Sequence, residues 1–340
     1  MNCYARRYPI YFFVLLFLFG STGKLQAAFP IANQSYQELK PSIAYNSQDH
    51  EFMSAYLILT GGVWELRARR FDINGTPIGG ELSPLAGVVH WAGGRPDIEY
   101  NPQSNTYYIA VPLHVPVPPF VWDHVVGRQI DAAGTPIRDA DWLFNDGVFS
   151  NVHMRSILDF ESPTIVRVTH NSLLDEFMVT FRRGASEFNG TTQLWEQQRI
   201  EVLGQRVNSA GLVGSVIELS REDKELESTG WQDIDNIDAR IDAHAIGYAP
   251  IATDPYGGRY LFKYADKLRL LDAEGTVVQV SRPNSSPGLP PRYYWDDILV
   301  DMGTGRVPHH EGAFDIAYGR VDGQDRFLLI WWDNGNACSG

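Results

Sequence analysis

An all-β fold, a single-domain β-propeller of five blades, is predicted by three features of the sequence. A strand–turn–strand segment recurs five times along the chain, and a second turn segment follows four of the copies. The composition suits such a fold, with 31 Gly and 20 Pro for turns and 17 Phe, 16 Tyr and 9 Trp for strands. At 44% hydrophobic and 20% charged, the 340 residues hold enough apolar material for a full core, which excludes disorder as the dominant state.

The first element is an address. Arg6 and Arg7 precede an apolar run from Ile10 to Phe19, and Gly20, Ser21 and Gly23 follow. A basic start, a short apolar stretch and small residues are the order of a secretory signal. The run is shorter than the ~20 apolar residues that span a bilayer. Residues 1–27 are therefore read as a signal peptide cut near Ala27, and 28–340 as the propeller domain, secreted or periplasmic and monomeric, with no integral span. The cut removes Arg6, Arg7 and Lys24 and no acid, so the formal charge moves from −13 to −16. Nucleic-acid binders need positive charge to neutralise phosphates, so that class of partner is excluded. Cys338 becomes the only cysteine, which leaves no intramolecular disulfide.

The repeat then fills the chain. Pro41-Ser-Ile-Ala-Tyr-Asn46 leads into Glu51-Phe-Met-Ser-Ala-Tyr-Leu57, and Pro96-Asp-Ile-Glu-Tyr-Asn101 into Thr106-Tyr-Tyr-Ile-Ala-Val111. Pro163-Thr-Ile-Val-Arg-Val168 leads into Glu176-Phe-Met-Val-Thr-Phe181, and His244-Ala-Ile-Gly-Tyr248 into Arg259-Tyr-Leu-Phe-Lys-Tyr264. Phe314-Asp-Ile-Ala-Tyr318 leads into Arg326-Phe-Leu-Leu-Ile-Trp331. The aligned isoleucines are Ile43, Ile98, Ile165, Ile246 and Ile316, with Arg167 standing where the other copies have Tyr.

After each of the first four copies comes an apolar residue, Asp or Asn, two variable residues and Gly. These are Phe71–Gly75, Ile130–Gly134, Val207–Gly211 and Leu271–Gly275. An Asp or Asn side chain can accept from the backbone two residues on, and Gly supplies positive φ, so each reads as a tight turn between strands. One unit is then four antiparallel strands, the pattern of a propeller blade. A helical reading fails because the runs are short, β-branched and aromatic, and are broken by Gly and Pro. The last unit lacks the second turn, and Phe29–Asn33 precedes the first unit. Pairing of that N-terminal strand with the last blade would close the ring and remove its exposed edges.

The alternation of P-x-I-A-Y-N, an aromatic strand and a G-Q-R-V-D/N-x-x-G strand resembles the propeller repeats of secreted bacterial proteins. Gly127-Arg-Gln-Ile-Asp-Ala-Ala-Gly134 and Gly204-Gln-Arg-Val-Asn-Ser-Ala-Gly211 carry the resemblance best, and it covers roughly residues 29–333. Such repeats usually form scaffold or binding modules, so the resemblance implies an architecture and leaves the ligand open.

A propeller offers a ligand site at one end of its central channel, where the inner strands converge. If the Pro-x-Ile segments are those strands, the candidates are Lys40, Arg95, Asp97, Glu99, Glu161, Asp242, His244, Glu311 and Asp315. Of these, Arg95, Asp97, Glu99, Asp242, His244 and Glu311 are expected to bind a glycan or a protein surface. The alternative is a glycoside hydrolase, which needs two carboxylates at a set separation, drawn from Asp97, Glu161, Asp242 and Glu311. No cofactor is expected. A calcium loop at Asp233-Ile-Asp-Asn-Ile-Asp238 lacks the Gly and the spacing of an EF-hand, and the adjacent His309 and His310 would point apart on a strand, which disfavours a zinc pair. Tryptophans 91, 122, 142, 195, 231, 295, 331 and 332 could stack on sugars, and long loops are expected at 112–124, 138–160, 219–241 and 281–311.

Overall fold

The structure, a computed structural model, describes residues 38–86, 91–92, 94–117, 120–144, 166–189, 194–223, 250–264, 267–280, 299–301, 314–321 and 323–331. Within them the chain is all-β and forms five sheets in chain order. The first sheet is β1 (Glu38–Asn46), β2 (Glu51–Thr60), β3 (Val63–Asp72) and β4 (Pro77–Leu82), paired consecutively and antiparallel. In the second, β5 (Trp91–Ala92) and β6 (Asp97–Asn101) lie one after the other along β7 (Thr106–Val117). That strand is followed by β8 (Phe120–Asp131) and β9 (Asp141–Phe144). The third is β10 (Val166–Asn171), β11 (Glu176–Asn189), β12 (Leu194–Asn208) and β13 (Gly211–Asp223). The fourth is β14 (Ile251–Thr253), β15 (Tyr260–Tyr264), β16 (Lys267–Leu271) and β17 (Val277–Val280). The fifth holds β18 (Leu299–Asp301), β19 (Phe314–Val321) and β20 (Gln324–Trp331), ordered β18-β20-β19 with β18 parallel to β20. The proposed closing strand, residues 29–33, lies outside the described residues.

One turn sets the register of the first four sheets. Asn46, Asn101 and Asn171 end the first strand and Asp254 follows it, and each accepts from the backbone N–H groups two and three residues on. The fourth turn residue takes positive φ: His50 (56°), Asn105 (54°), Asp175 (54°) and Gly258 (67°). Asn, Asp and His tolerate that region better than most residues, and Gly does so freely. This turn corrects the alignment read from sequence. The places of Ile43 and Ile98, three residues before the cap, are taken in the third and fourth sheets by Val168 and Ile251. Ile165 and Ile246 lie outside the described residues.

The core lies between successive sheets. Tyr107, Ile109, Val111 and Leu113 of β7 pack toward the first sheet, whereas Tyr108 and Ala110 pack toward the third. In the same way Phe177, Val179 and Phe181 of β11 face the second sheet and Met178 faces the fourth. A strand buried on both faces reads as a near-continuous apolar run, which is why Tyr107–Val111 and Phe177–Val179 show no alternation of polar and apolar residues. The expected loop at 112–124 is instead a continuation of the β7–β8 hairpin. Pro112 falls between the reach of β6 and of β5, and Pro116 beyond both, where β7 has no ladder partner on that side among the described residues, so both prolines are tolerated. Parts of the other expected loops also form strands: β9, the end of β13, and β18.

The outer turns follow the sequence reading. Gly75, Gly134 and Gly275 each donate to the carbonyl of the preceding Asp (Asp72, Asp131, Asp272), whose Oδ1 accepts from the Thr four residues on. The Thr76 N–H is the main reason the exposed Asp72 carboxyl sits below its ordinary range. Gly127, by contrast, is required by space. A Cβ there would stand 2.3 Å from the hydroxyl oxygen of Tyr108, which is fully buried and donates to Asp141 at 2.9 Å. Gly204 holds the same place on β12, close under Met178. Gly127→Ala is expected to cost about 2–4 kcal/mol by overpacking, read as a lowered urea midpoint. A midpoint equal to wild type would show that Tyr108 can move aside.

Candidate functional site

The first strands β1, β6, β10, β14 and β19 neighbour one another in chain order and line one cavity of about 740 Å³. Among the described residues their inner edges have no ladder partner on that side, so side chains satisfy some of the backbone groups there, as Asp97 does for the Val168 N–H. Equivalent positions form levels along the cavity. One residue before the place of Ile43 stand Ser42, Asp97, Arg167, Pro250 and Asp315. One residue after it stand Ala44, Glu99, Thr169, Ala252 and Ala317, and then Tyr45, Tyr100, His170, Thr253 and Tyr318. The small residues at the middle level leave the space that Glu99 enters.

Asp97 is a tie between sheets. Its Oδ1 accepts from Ser42 Oγ of β1 at 2.6 Å, its Oδ2 accepts from the Val168 N–H of β10 at 2.9 Å, and Arg167 lies 4.0 Å away. Burial raises its pKa, opposed by the Arg167 charge and the two donors. A carboxylate held by three partners on two neighbouring strands is positioned to join them. Asp97, a candidate from the sequence for ligand binding and for acid catalysis, thus has a structural use as well.

Glu99 is different. It is half-buried, lines the cavity, and has its pKa pushed up to about 8 by burial and then by the charge of Asp97, against one backbone hydrogen bond at Tyr100. At neutral pH it is therefore a protonated acid with an O–H to donate. Arg95 donates from Nη2 to the Pro41 carbonyl at 3.3 Å, while its buried Nε has no acceptor among the described residues.

At the turn end the cavity is rimmed by rings. Tyr45 is 41% exposed, donates to or accepts from His50 at 2.8 Å and packs on Phe52. Tyr318 lies 6.3 Å from Tyr256, which is 61% exposed and has Arg320 over its ring at 4.8 Å. The turns of the first four sheets meet here. Asn46 Nδ2 donates to Asn105, Asn101 Nδ2 donates to Asp175, and Asn171 Nδ2 donates to the Gly258 carbonyl. Each of these three asparagine caps therefore reaches the turn of the next sheet.

His170 is buried against Phe177, and burial lowers its pKa against the pull of Asp175 at 3.5 Å, so it is a neutral wall residue at pH 7. Thr169 and Thr253 join hydroxyls at 2.8 Å between β10 and β14.

Of the candidates read from sequence, Arg95, Asp97 and Glu99 are brought together. Glu161, Asp242, His244 and Glu311 lie outside the described residues, as does the acidic run 233–238. The backbones of Lys40 and Asp315 are on β1 and β19, and their side chains lie outside the described residues. Among the described residues no group of three His, Cys, Asp or Glu is placed to hold a metal. Trp142 is exposed beside His124, away from the cavity wall. The sequence reading missed Arg167, His170 and Thr253 as cavity residues. The signal was present: Tyr45 and Phe52, Tyr100 and Tyr107, His170 and Phe177, and Thr253 and Tyr260 are four cross-strand pairs with one spacing.

No family model matches the chain, and no curated protein matches it. Among solved structures, the chain is similar to an N-acetylgalactosamine deacetylase from F. plautii in complex with blood group B trisaccharide. The identity is 10%, over 75% of this chain and 72% of that one, with a TM-score of 0.40. It is also similar to a Bombyx mori GH32 beta-fructofuranosidase in complex with sucrose, at 11% identity over 87% of this chain and 55% of that one, with a TM-score of 0.35. A third is the catalytic domain of a Coprinopsis cinerea GH62 alpha-L-arabinofuranosidase, at 10% identity over 86% and 83%, with a TM-score of 0.35. Identities and TM-scores at this level transfer no activity to the chain.

Proposed function

We propose that the chain is an exported five-bladed propeller that binds a glycan in its central cavity. The observation that supports this most is a cavity walled by the first strands of all five sheets, polar at one end and rimmed by tyrosines at the other. Sugars suit such a wall, because hydroxyls take directional hydrogen bonds and ring faces stack on aromatics. The secretory segment supports export, and among the described residues no helix is long and apolar enough to cross a membrane. The fifth sheet, with three described strands, is the blade that an N-terminal strand would complete.

A glycan array probed with mature residues 28–340 tests the reading. Retention of one glycan class is expected, weakened at least tenfold by Tyr45→Ala. A blank array together with binding to a protein surface would replace the glycan reading.

Glu99 favours one second reading, a glycoside hydrolase. A protonated carboxylic acid in a cavity is what a general acid requires. Its partner carboxylate would come from Glu161, Asp242 or Glu311, since Asp97 is tied between strands. Product analysis on array hits decides: turnover lost in Glu99→Gln with binding kept favours the enzyme, and binding without turnover in wild type favours the module.

A further inference from the structure

Charge inside the cavity runs against the charge of the chain. The sequence carries a formal −13, yet the described cavity wall holds two guanidinium groups and two acids. The acids do not cancel both cations. Asp97 faces Arg167 and is held by Ser42 and the Val168 N–H. Glu99 keeps its proton at neutral pH. Arg95 adds a weaker pull on Asp97, so one ionised acid faces two cations. Among the described residues the buried Nε–H of Arg95 meets no acceptor, and its hydrogen bond to the Pro41 carbonyl is long at 3.3 Å. A buried guanidinium donor without an acceptor is costly unless something brings one. A carboxylate is the group that matches a guanidinium fork best.

Arg95 and the tyrosine rim lie at opposite ends of the same wall. Arg95 precedes β6, whereas Tyr45 and Tyr318 stand beside the turns that close the inner hairpins. The rise from residue 95 to residue 100 is about 16 Å at strand geometry. A ligand that uses both ends is longer than one sugar ring.

Resting on the glycan reading above, we infer that the cavity selects short acidic oligosaccharides, with a hexuronate carboxylate meeting Arg95 and a following ring stacked at Tyr45 and Tyr318. Arg95 then sets specificity, and Glu99 donates to the same sugar.

Calorimetry on the mature chain at pH 6.5 and physiological salt tests this with trigalacturonate, triglucuronate, their methyl esters and a neutral galactose trisaccharide. One acidic sugar is expected to bind at least tenfold more tightly than its ester, the effect of one charge-assisted hydrogen bond. Arg95→Gln is expected to erase that preference while the melting temperature stays near wild type, and Arg95→Lys to restore part of it. Equal affinity for acid and ester, or preference for the neutral sugar, overturns the carboxylate inference and leaves glycan binding standing. An unchanged acid preference in Arg95→Gln also overturns it. Silence of every sugar here, together with a blank glycan array, overturns both readings. Tighter binding of triglycine than of any sugar, lost in its C-terminal amide, assigns Arg95 to a peptide and overturns the inference as well.

Discussion

Asn171→Ala is expected to cost the folded protein about 3–5 kcal/mol, measured as a loss in urea-unfolding free energy. Asn171 is fully buried, and its side chain does two jobs. Oδ1 accepts from the N–H groups of Leu173 and Leu174 and so holds the turn between β10 and β11. Nδ2 donates to the Gly258 carbonyl at 2.8 Å and to the Tyr260 hydroxyl at 2.9 Å, which ties that turn to the fourth sheet. Alanine leaves several buried polar groups without partners, and each carries a desolvation penalty of about 1–3 kcal/mol.

Asn171→Asp separates the two jobs. It keeps the acceptor for the turn and sets a carboxylate oxygen against the Gly258 carbonyl. The fourth sheet already uses Asp254 at this place, with its second oxygen turned to Arg259 at 3.4 Å. At 171 that oxygen faces the Gly258 carbonyl rather than a cation. The aspartate variant is therefore expected to lose at least as much as the alanine variant at pH 7, and less at pH 4, where a protonated carboxyl can donate to the Gly258 carbonyl. A loss below about 1 kcal/mol in Asn171→Ala would show that the link between sheets contributes little.

That cap also explains what was legible in the sequence. The aromatic that opens each second strand is in place in all five copies: Phe52, Tyr107, Phe177, Tyr260 and Phe327. The Asp-x-x-Gly turns at 72, 131 and 272 form as read. The alignment slipped where a Pro-x-Ile string was followed instead of the turn. The third copy has such a string at Pro163, yet its cap is Asn171, which puts Val168 at the isoleucine place. Arg167 then looked like a lost tyrosine, although it stands at the level of Asp97. Side-chain identity varies at these positions because the inner strand is held by backbone pairing and by its cap, so the turn conserves geometry while the cavity wall changes chemistry. Arg95, Asp97 and Glu99 were legible because their copy keeps both the proline and the cap.

Glu99→Gln is expected to flatten a fall in stability with rising pH. The folded chain holds the Glu99 carboxyl near a pKa of about 8, whereas the ordinary value is 4.5. Between those limits the native state keeps a proton that the unfolded chain has released. The stabilisation from Glu99 is therefore fully present below about 4.5, declines as pH rises through the window, and is gone above about 8. The slope from one such group is at most about 1.4 kcal/mol per pH unit. Contact of the carboxyl with cavity water reduces the total to about 2–3 kcal/mol. His170 contributes with the opposite sign, because a histidine held neutral by burial loses stability as pH falls through its unfolded value. It is common to both proteins and cancels in the comparison. Urea unfolding of wild type and Glu99→Gln at pH 5, 6.5, 8 and 9 should show the variant gaining on wild type up to pH 8 and holding a constant lead beyond it. A gap that is the same at pH 5 and pH 9 would mean that Glu99 is ionised in the folded protein at neutral pH. The cavity wall would then carry a fixed negative charge at Glu99, and neither the general-acid role nor the donor role of Glu99 would stand.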